Sequence, residues 1–232
     1  MASRRYFRVS LRALWVLLTL FCLWIGKESI EVRRENKAVA WVQQNGGQVE
    51  YDREPAPLWL QPLVGENFLR NVKKVMIRQR QVSDLSPLAA FGELSELRLI
   101  ACDVNDLRPI SGLTNLTYLQ LTKNQIEDVS PLASLQKLDH LNIHWNQVKD
   151  ISVVQGLTQL NNLDIGDNLI TVLPSLSRLT QLEGIALHNL NISDLSPLRE
   201  VKSLKVINGI SKEEKNKLRR SLPLLFPDIV RP

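Results

Sequence analysis

Cysteine and aromatic residues are scarce in this chain, and leucine is abundant. Its 232 residues include two cysteines, Cys22 and Cys102, which are too few for a disulfide framework. Aromatic side chains make up 6% of the residues, whereas leucine occurs 41 times. One side chain used so often indicates a repeated core, and the length allows one substantial domain with an appendage.

Motifs for catalysis and cofactor binding are also missing. The sequence has no glycine-rich phosphate loop, no CxxC pair, no HExxH and no nucleophile elbow. Its three histidines are His140, His144 and His188. We place the first two about 13 Å apart along one strand and the last two about 10 Å apart, so no pair could hold zinc unaided. Asp164 lies diagonal to His140 and His144, an arrangement that resembles a proton-transfer pair. An open sheet face does not exclude water from such a pair, so we predict no enzyme activity and no cofactor.

A surface dominated by one sign of charge is missing as well. The net charge is +5, yet residues 72–203 carry 12 Lys and Arg against 14 Asp and Glu. The basic surplus lies in residues 1–71 and 204–232. Nucleic-acid binding needs a basic stripe on the main surface, so we predict no nucleic-acid partner.

The longest uncharged run is short for a membrane span. Residues 13–26 follow four arginines, and as a helix they cover about 21 Å of a hydrocarbon core about 30 Å thick. Extension to Val9 gives eighteen residues. We therefore predict a transmembrane anchor in contact with the lipid bilayer over residues 9–26, with residues 1–8 in the cytoplasm and the rest outside. A cleaved signal peptide, for which no cleavage site follows, and a buried or peripheral helix are the alternatives.

The segment before the repeats is predicted to contain a helix, a linker and a cap. Residues 27–56 are assigned to a juxtamembrane helix and linker, with an Asn-Gly-Gly turn at residues 45–47 ending the helix. The residues after this turn predict a short strand at Gln48–Tyr51. Residues 57–71 offer several apolar side chains, and we predict that they form the N-terminal cap.

A 22-residue repeat is the most specific pattern in the chain. Six full units and one partial unit fill residues 72–210 without insertion. Each unit contains an alternation such as Leu119-x-Leu121, which predicts a short strand with both leucines on one face. Three units share an asparagine whose inward amide is expected to hydrogen-bond the turn backbones. These residues are Asn124, Asn146 and Asn168, and Cys102 takes the same place in the second unit.

The return limb of each unit is equally regular. An aspartate recurs at one offset with a proline three residues later, and the Ser-Pro pairs predict that serine caps a brief helical turn. Val172 replaces the aspartate in the fifth unit, whose convex side should be less regular. Residues 211–232 begin with the capping box Ser211-Lys212-Glu213-Glu214, which predicts a helical C-terminal cap.

These units resemble leucine-rich repeat proteins, in particular the internalin-like 22-residue class of bacterial surface proteins. The resemblance covers residues 72 to about 209, and the preceding segments look like those of membrane-anchored bacterial proteins of this kind. It implies an α/β solenoid, a right-handed leucine-rich repeat superhelix with a parallel sheet on its concave face, between helical caps. It also implies that the concave face binds proteins.

Candidate binding residues lie at the third, fifth, seventh and eighth positions of the units, which face outward or lie at the rim. Large amphipathic side chains near the middle have the composition of an interface hot spot: Arg98, Tyr118, Gln120, His140, Asn142, His144, Trp145 and Asp164. Gly166, Gly184 and Ala186 should leave the other end shallow. An ordinary solvent-facing surface is the competing interpretation.

We predict a membrane-anchored monomer that binds a protein or peptide ligand through this patch on its concave face, outside the cytoplasm. A cytoplasm-facing adaptor or regulatory subunit for an enzyme is the alternative.

Overall fold

A long helix and an eight-stranded sheet form the regular structure of the chain. The computed structural model describes residues 11–55, 58, 61, 70–82 and 84–213. The strands follow one another in the sheet in chain order. Helix α1 covers Leu11–Gln44, and the strands are β1 Gln48–Tyr51, β2 Val72–Arg78, β3 Glu96–Ile100, β4 Tyr118–Gln120, β5 His140–Asn142, β6 Asn162–Asp164, β7 Gly184–Ala186 and β8 Val206–Asn208.

The 22-residue step sets the register of the sheet. Strands β2 to β8 are parallel, and residues one repeat apart pair directly: Glu96 with Tyr118, Tyr118 with His140, and His140 with Asn162. The same register continues through β7 to Val206 in β8. Strand β1 pairs with β2 in the antiparallel direction. The predicted repeat architecture and its parallel sheet are therefore confirmed.

The repeated leucines form one continuous core. In the short strands the middle residue is buried and its two neighbours are partly exposed, as the alternation predicts. Buried apolar side chains continue without interruption from Ala38 in α1 to Ile207 in β8. Each unit therefore depends on its neighbours for burial, as in other solenoids.

The predicted asparagine ladder is present. Asn146 Nδ2 donates to the carbonyls of Leu121 (2.9 Å) and Ile143 (2.8 Å), and its Oδ1 accepts from the amide of Ile126 at 3.1 Å. Asn124 and Asn168 make the equivalent bonds in their units. Buried backbone groups at the turns are satisfied by these amides, which tie each coil to the one before it.

Short 3₁₀ helices form the return limbs, and their capping differs from the prediction. In the helix Ser86–Ala90, serine is the first helical residue and makes no cap; Leu85 holds the cap position. Asp84 accepts instead, from the backbone amide and the hydroxyl of Ser86, each at 2.8 Å. These two hydrogen bonds, the backbone one first, lower the pKa of Asp84. The repeated aspartate, not the serine, therefore caps the turn: it lies two residues before the serine, and its carboxylate accepts the first free N–H of the helix.

The return limb of the fifth unit is irregular, as expected. No helix forms among the described residues between the 3₁₀ helices Ser152–Gly156 and Ser196–Glu200. Val172 stands where the other units have the capping aspartate, and it is exposed together with Leu169. Pro174 stands where the other units have the residue whose N–H bonds the aspartate, so both the acceptor and the donor of that contact are missing in this unit.

The end of α1 covers the first coil of the repeats. Ala38, Val39 and Val42 are buried in the core, and this end of the helix packs against β1, β2 and the first 3₁₀ helix. The helix ends at the predicted turn, where Gly46 has a φ of +67°. A Cβ on Gly47 would lie 2.7 Å from Val42 Cγ1, so glycine permits the close approach.

The predicted caps lie largely outside the described residues. This holds for most of residues 57–71 and for residues 214–232. Sequence reasoning assigned residues 27–56 to a juxtamembrane segment and missed the burial at the end of α1.

The transmembrane span predicted for residues 9–26 is not supported. Among the described residues, no helix is both long and apolar enough to cross a bilayer. The uncharged stretch ends at Gly26 and charged residues follow from Lys27, although α1 continues to Gln44. Residues 9 and 10 lie outside the described part of the chain.

Candidate functional site

The face of the sheet that points away from the core carries the predicted binding residues. Because the register is a constant 22 residues, third-position side chains form one row across the strands and fifth-position side chains form another. Tyr118 and His140 belong to the first row, and Gln120, Asn142 and Asp164 belong to the second. We refer to this surface as the exposed sheet face.

Three side chains of neighbouring strands stack on the exposed sheet face. The guanidinium carbon of Arg98 lies 4.6 Å from the centre of the Tyr118 ring, and Tyr118 stacks on His140 with ring centres 5.4 Å apart. His140 Nδ1 lies 2.7 Å from Asp139 Oδ2, and Nε2 lies 2.9 Å from Asn162 Nδ2. An imidazole with its proton on Nδ1 satisfies both contacts. We call Arg98, Tyr118 and His140 the aromatic stack; its neighbours hold it in place.

A chain of polar contacts orders the second row. Gln120 Nε2 donates to Thr122 Oγ1 (3.3 Å), and Thr122 donates to Asn142 Oδ1 (3.1 Å). Asn142 Nδ2 donates to Asp164 Oδ2 at 3.2 Å, and the amide of Gly166 donates to Asp164 Oδ1 at 3.1 Å. The polar side chains of this row are therefore oriented before any ligand arrives.

Trp145 lies at the rim, at the turn that follows β5. It has a φ of +61°, a conformation uncommon for a bulky residue, and 55% of it is exposed. Lys123 Nζ lies 4.5 Å from the ring centre, and the His144 ring meets Trp145 edge-on at 6.2 Å. The same positive φ recurs every 22 residues along the turn, at Gln79, Ala101, Lys123, Trp145, Asp167 and Asn189.

His144 and His188 are closer than strand spacing predicts. Their ring centres are 6.5 Å apart, because Gly166 between them has no side chain; a Cβ there would lie 2.9 Å from His144 Nδ1. His144 Nδ1 is 3.6 Å from Asp164 Oδ1, and Nε2 is 3.4 Å from Asp167 Oδ2. Within the described ranges no three such side chains are arranged to hold a metal ion.

A groove crosses the exposed sheet face where β7 carries small residues. Gly184 and Ala186 point outward, and larger side chains on β6 and β8 stand on either side. Adjacent strands are about 4.8 Å apart, so the two walls are about 10 Å apart. The groove has a volume of about 420 Å³. We call it the β7 trough; its walls include Asn162 and Asp164 on β6, and Val206 and Asn208 on β8.

The trough corrects the expectation of a shallow end. Small residues on β7 do lower the surface, but β8 adds a far wall that the prediction left out. Continuing the outward rows by one more step of 22 residues gives Val206 and Asn208. The missed residues could therefore have been found from the repeat alone.

Comparison with known proteins gives the family. A model of leucine-rich repeats, two copies long, matches residues 114–157. An internalin (inlF) from Listeria monocytogenes is 36% identical over 56% of this chain and 45% of that one, with a TM-score of 0.51. Internalin C2 from the same species is 30% identical, with a TM-score of 0.53 over 64% of this chain and 75% of that one. The chain belongs to the internalin-like leucine-rich repeat proteins.

A further structural match supports the fold alone. A leucine-rich repeat protein from Leptospira interrogans is 23% identical, with a TM-score of 0.52 over 66% of this chain and 47% of that one. The search of curated proteins gave no match. This internalin-like chain spans 45% of the first internalin's length.

The structure of this internalin-like protein divides the predicted patch into three groups. Arg98, Tyr118 and His140 form the aromatic stack. Gln120, Asn142 and Asp164 form the polar row beside it. His144 and Trp145 lie beyond the strand ends and do not line the trough. Tyr118 and His140 line the near side of the trough, which extends from them to β8.

Proposed function

We propose that this internalin-like chain binds a protein or peptide ligand on its exposed sheet face, which is the concave face in solenoids of this type. The aromatic stack is the observation that carries the proposal. A tyrosine fixed between a guanidinium and an imidazole loses little side-chain freedom on binding, and Tyr and Arg are enriched among hot-spot residues.

We propose binding without catalysis. The exposed sheet face is open, and general acid–base chemistry requires a titratable group that can reach a substrate proton. Both ring nitrogens of His140 are already engaged by Asp139 and Asn162. The carboxylate of Asp164 accepts from Asn142 and Gly166, which suits an oriented contact residue.

The double variant Tyr118→Ala/Trp145→Ala tests the proposed binding face. Partners are first captured by crosslinking in intact cells, and the affinity of the purified partner is then measured by calorimetry. We expect affinity to fall about 30-fold or more, because hot-spot truncations cost about 2 kcal/mol or more.

The matched control is Glu127→Ala/Lys149→Ala, two exposed residues on the return limb. It should leave the affinity unchanged. Equal affinity for wild type and the Tyr118→Ala/Trp145→Ala variant would place the binding site elsewhere.

We also propose that the repeats face the outside of the cytoplasm. The support is the sequence: four arginines precede the uncharged residues 13–26, an arrangement typical of targeting segments. A reporter enzyme that is active only outside the cytoplasm, fused after Pro232, should be active. Activity only from a cytoplasmic reporter would favour the alternative, an adaptor or regulatory subunit for a cytoplasmic enzyme.

A further inference from the structure

We infer that the β7 trough receives a lysine or arginine side chain of an extended ligand segment, with the cation at Asp164. The inference rests on the proposed function, because it names the chemistry that the exposed sheet face recognises. It follows from the shape of the trough, from its apolar floor and from the contacts of Asp164.

The floor of the trough suits an aliphatic stem. Ala186 contributes a methyl group and Val206 on the far wall is 45% exposed, whereas the Asn162 side chain lies over Gly184, where a Cβ would be 2.6 Å from its Oδ1. Lysine and arginine bury three or four methylene groups along such apolar surface while the charged end stays near polar groups. A gap of about 10 Å between the walls accepts one stem.

Asp164 lacks the basic partner that other carboxylates of the face have. Glu183 at the rim lies 2.6 Å from Lys205 Nζ, and Glu96 contacts Arg98. Among the described residues, no lysine or arginine lies within 4.0 Å of Asp164. The nearest basic group is His144 Nδ1 at 3.6 Å, beyond hydrogen-bond distance and shared with Asp167 through the other ring nitrogen.

The position of Asp164 strengthens a contact with a cation. Its side chain is 29% exposed, so solvent and salt screen it less than a surface carboxylate. Asn142 and the amide of Gly166 fix its two oxygens. Asp164 also ends the wall that faces Ala186, so a stem lying over Ala186 brings its charged end to the carboxylate.

Other occupants fit these contacts less well. An acidic side chain would meet the carboxylate of Asp164, whereas Glu183 and Lys205, which also line the trough, already pair with each other. A purely apolar side chain would remove water from Asp164 without supplying a cation, and a desolvated charge without a partner is costly. Charge complementarity therefore selects a basic residue.

The test uses a displayed library of random 12-residue peptides selected on the full chain and on three single variants. Wild type should enrich peptides that contain lysine or arginine, and Asp164→Asn should bind the selected peptides about tenfold more weakly. Asp164→Lys should enrich aspartate and glutamate instead. Glu127→Gln, an exposed carboxylate on the return limb, is the charge-matched control and should select as wild type does.

Ala186→Leu fills the trough without changing charge. We expect it to abolish binding of the selected basic peptides, while thermal melts confirm that each variant is folded. The Tyr118→Ala/Trp145→Ala variant is assayed with the same peptides.

Three results would overturn the inference. One is a wild-type selection without basic residues, and another is binding indifferent to Asp164→Asn and Ala186→Leu; failure to select any peptide is the third. If binding is unchanged in Asp164→Asn but lost in Tyr118→Ala/Trp145→Ala, the proposed function stands and only the inference fails. If binding is unchanged in both variants, the proposed function fails too.

Discussion

Asn146→Ala should lower the free energy of unfolding by about 2 to 4 kcal/mol, although it changes one small side chain. The amide of Ile126 loses its buried acceptor outright. The carbonyls of Leu121 and Ile143 each keep a second donor, because Asn124 and Asn168 also reach them. We therefore expect one orphaned donor, two weakened acceptors and a small cavity.

Two further substitutions at position 146 separate hydrogen bonding from volume. Asn146→Cys should be milder than alanine, because Cys102 occupies this place in the second unit with its Sγ 3.4 Å from the carbonyls of Ile77 and Ile100. Asn146→Asp preserves shape but sets a carboxylate against two carbonyl oxygens, so it should cost at least as much as alanine. Urea denaturation monitored by circular dichroism gives the order; equal stability for all three variants would contradict the ladder's role.

Much of the fold follows from a single property of the sequence. A constant step of 22 residues places Tyr118 beside His140 and stacks the three asparagines, since equivalent residues of a solenoid occupy equivalent positions. The exposed rows and the ladder were predictable for that reason. The capping of the return limb was harder to predict. Both Asp84 and Ser86 have side chains that can cap a turn, and the observed geometry selects the aspartate.

The constant 22-residue step does not predict every contact or the packing of segments outside the repeats. The approach of His144 to His188 depends on rotation of both rings over Gly166, which register does not give. The buried end of α1 carries only a few apolar residues among charged ones, so periodicity gave little signal. The uncharged residues 13–26 just before it predicted a membrane span instead of a helix that packs on the repeats.

The role of α1 as the cover of the first coil can be tested at Val42, which is 0% exposed. Val42→Asp should lower the free energy of unfolding by about 3 to 5 kcal/mol, because it puts an unpaired charge into the core. Gln43→Asp is the matched control: it adds the same charge to the same helix end on an exposed residue. Both variants meet the unfavourable helix dipole, about 0.3 to 1 kcal/mol, so their difference reports burial alone.

Hydrogen exchange locates the damage. If α1 closes the solenoid, Val42→Asp should remove amide protection first in β2 and in the 3₁₀ helix Ser86–Ala90, which the helix end contacts. Protection in β5, three strands further along the sheet, should persist, because each coil contacts its immediate neighbours. Equal stability of the two aspartate variants would mean that the helix end is not packed on the first coil in solution. Uniform loss of protection would mean instead that the coils unfold as one unit, and that the cover and the repeats share a single cooperative core.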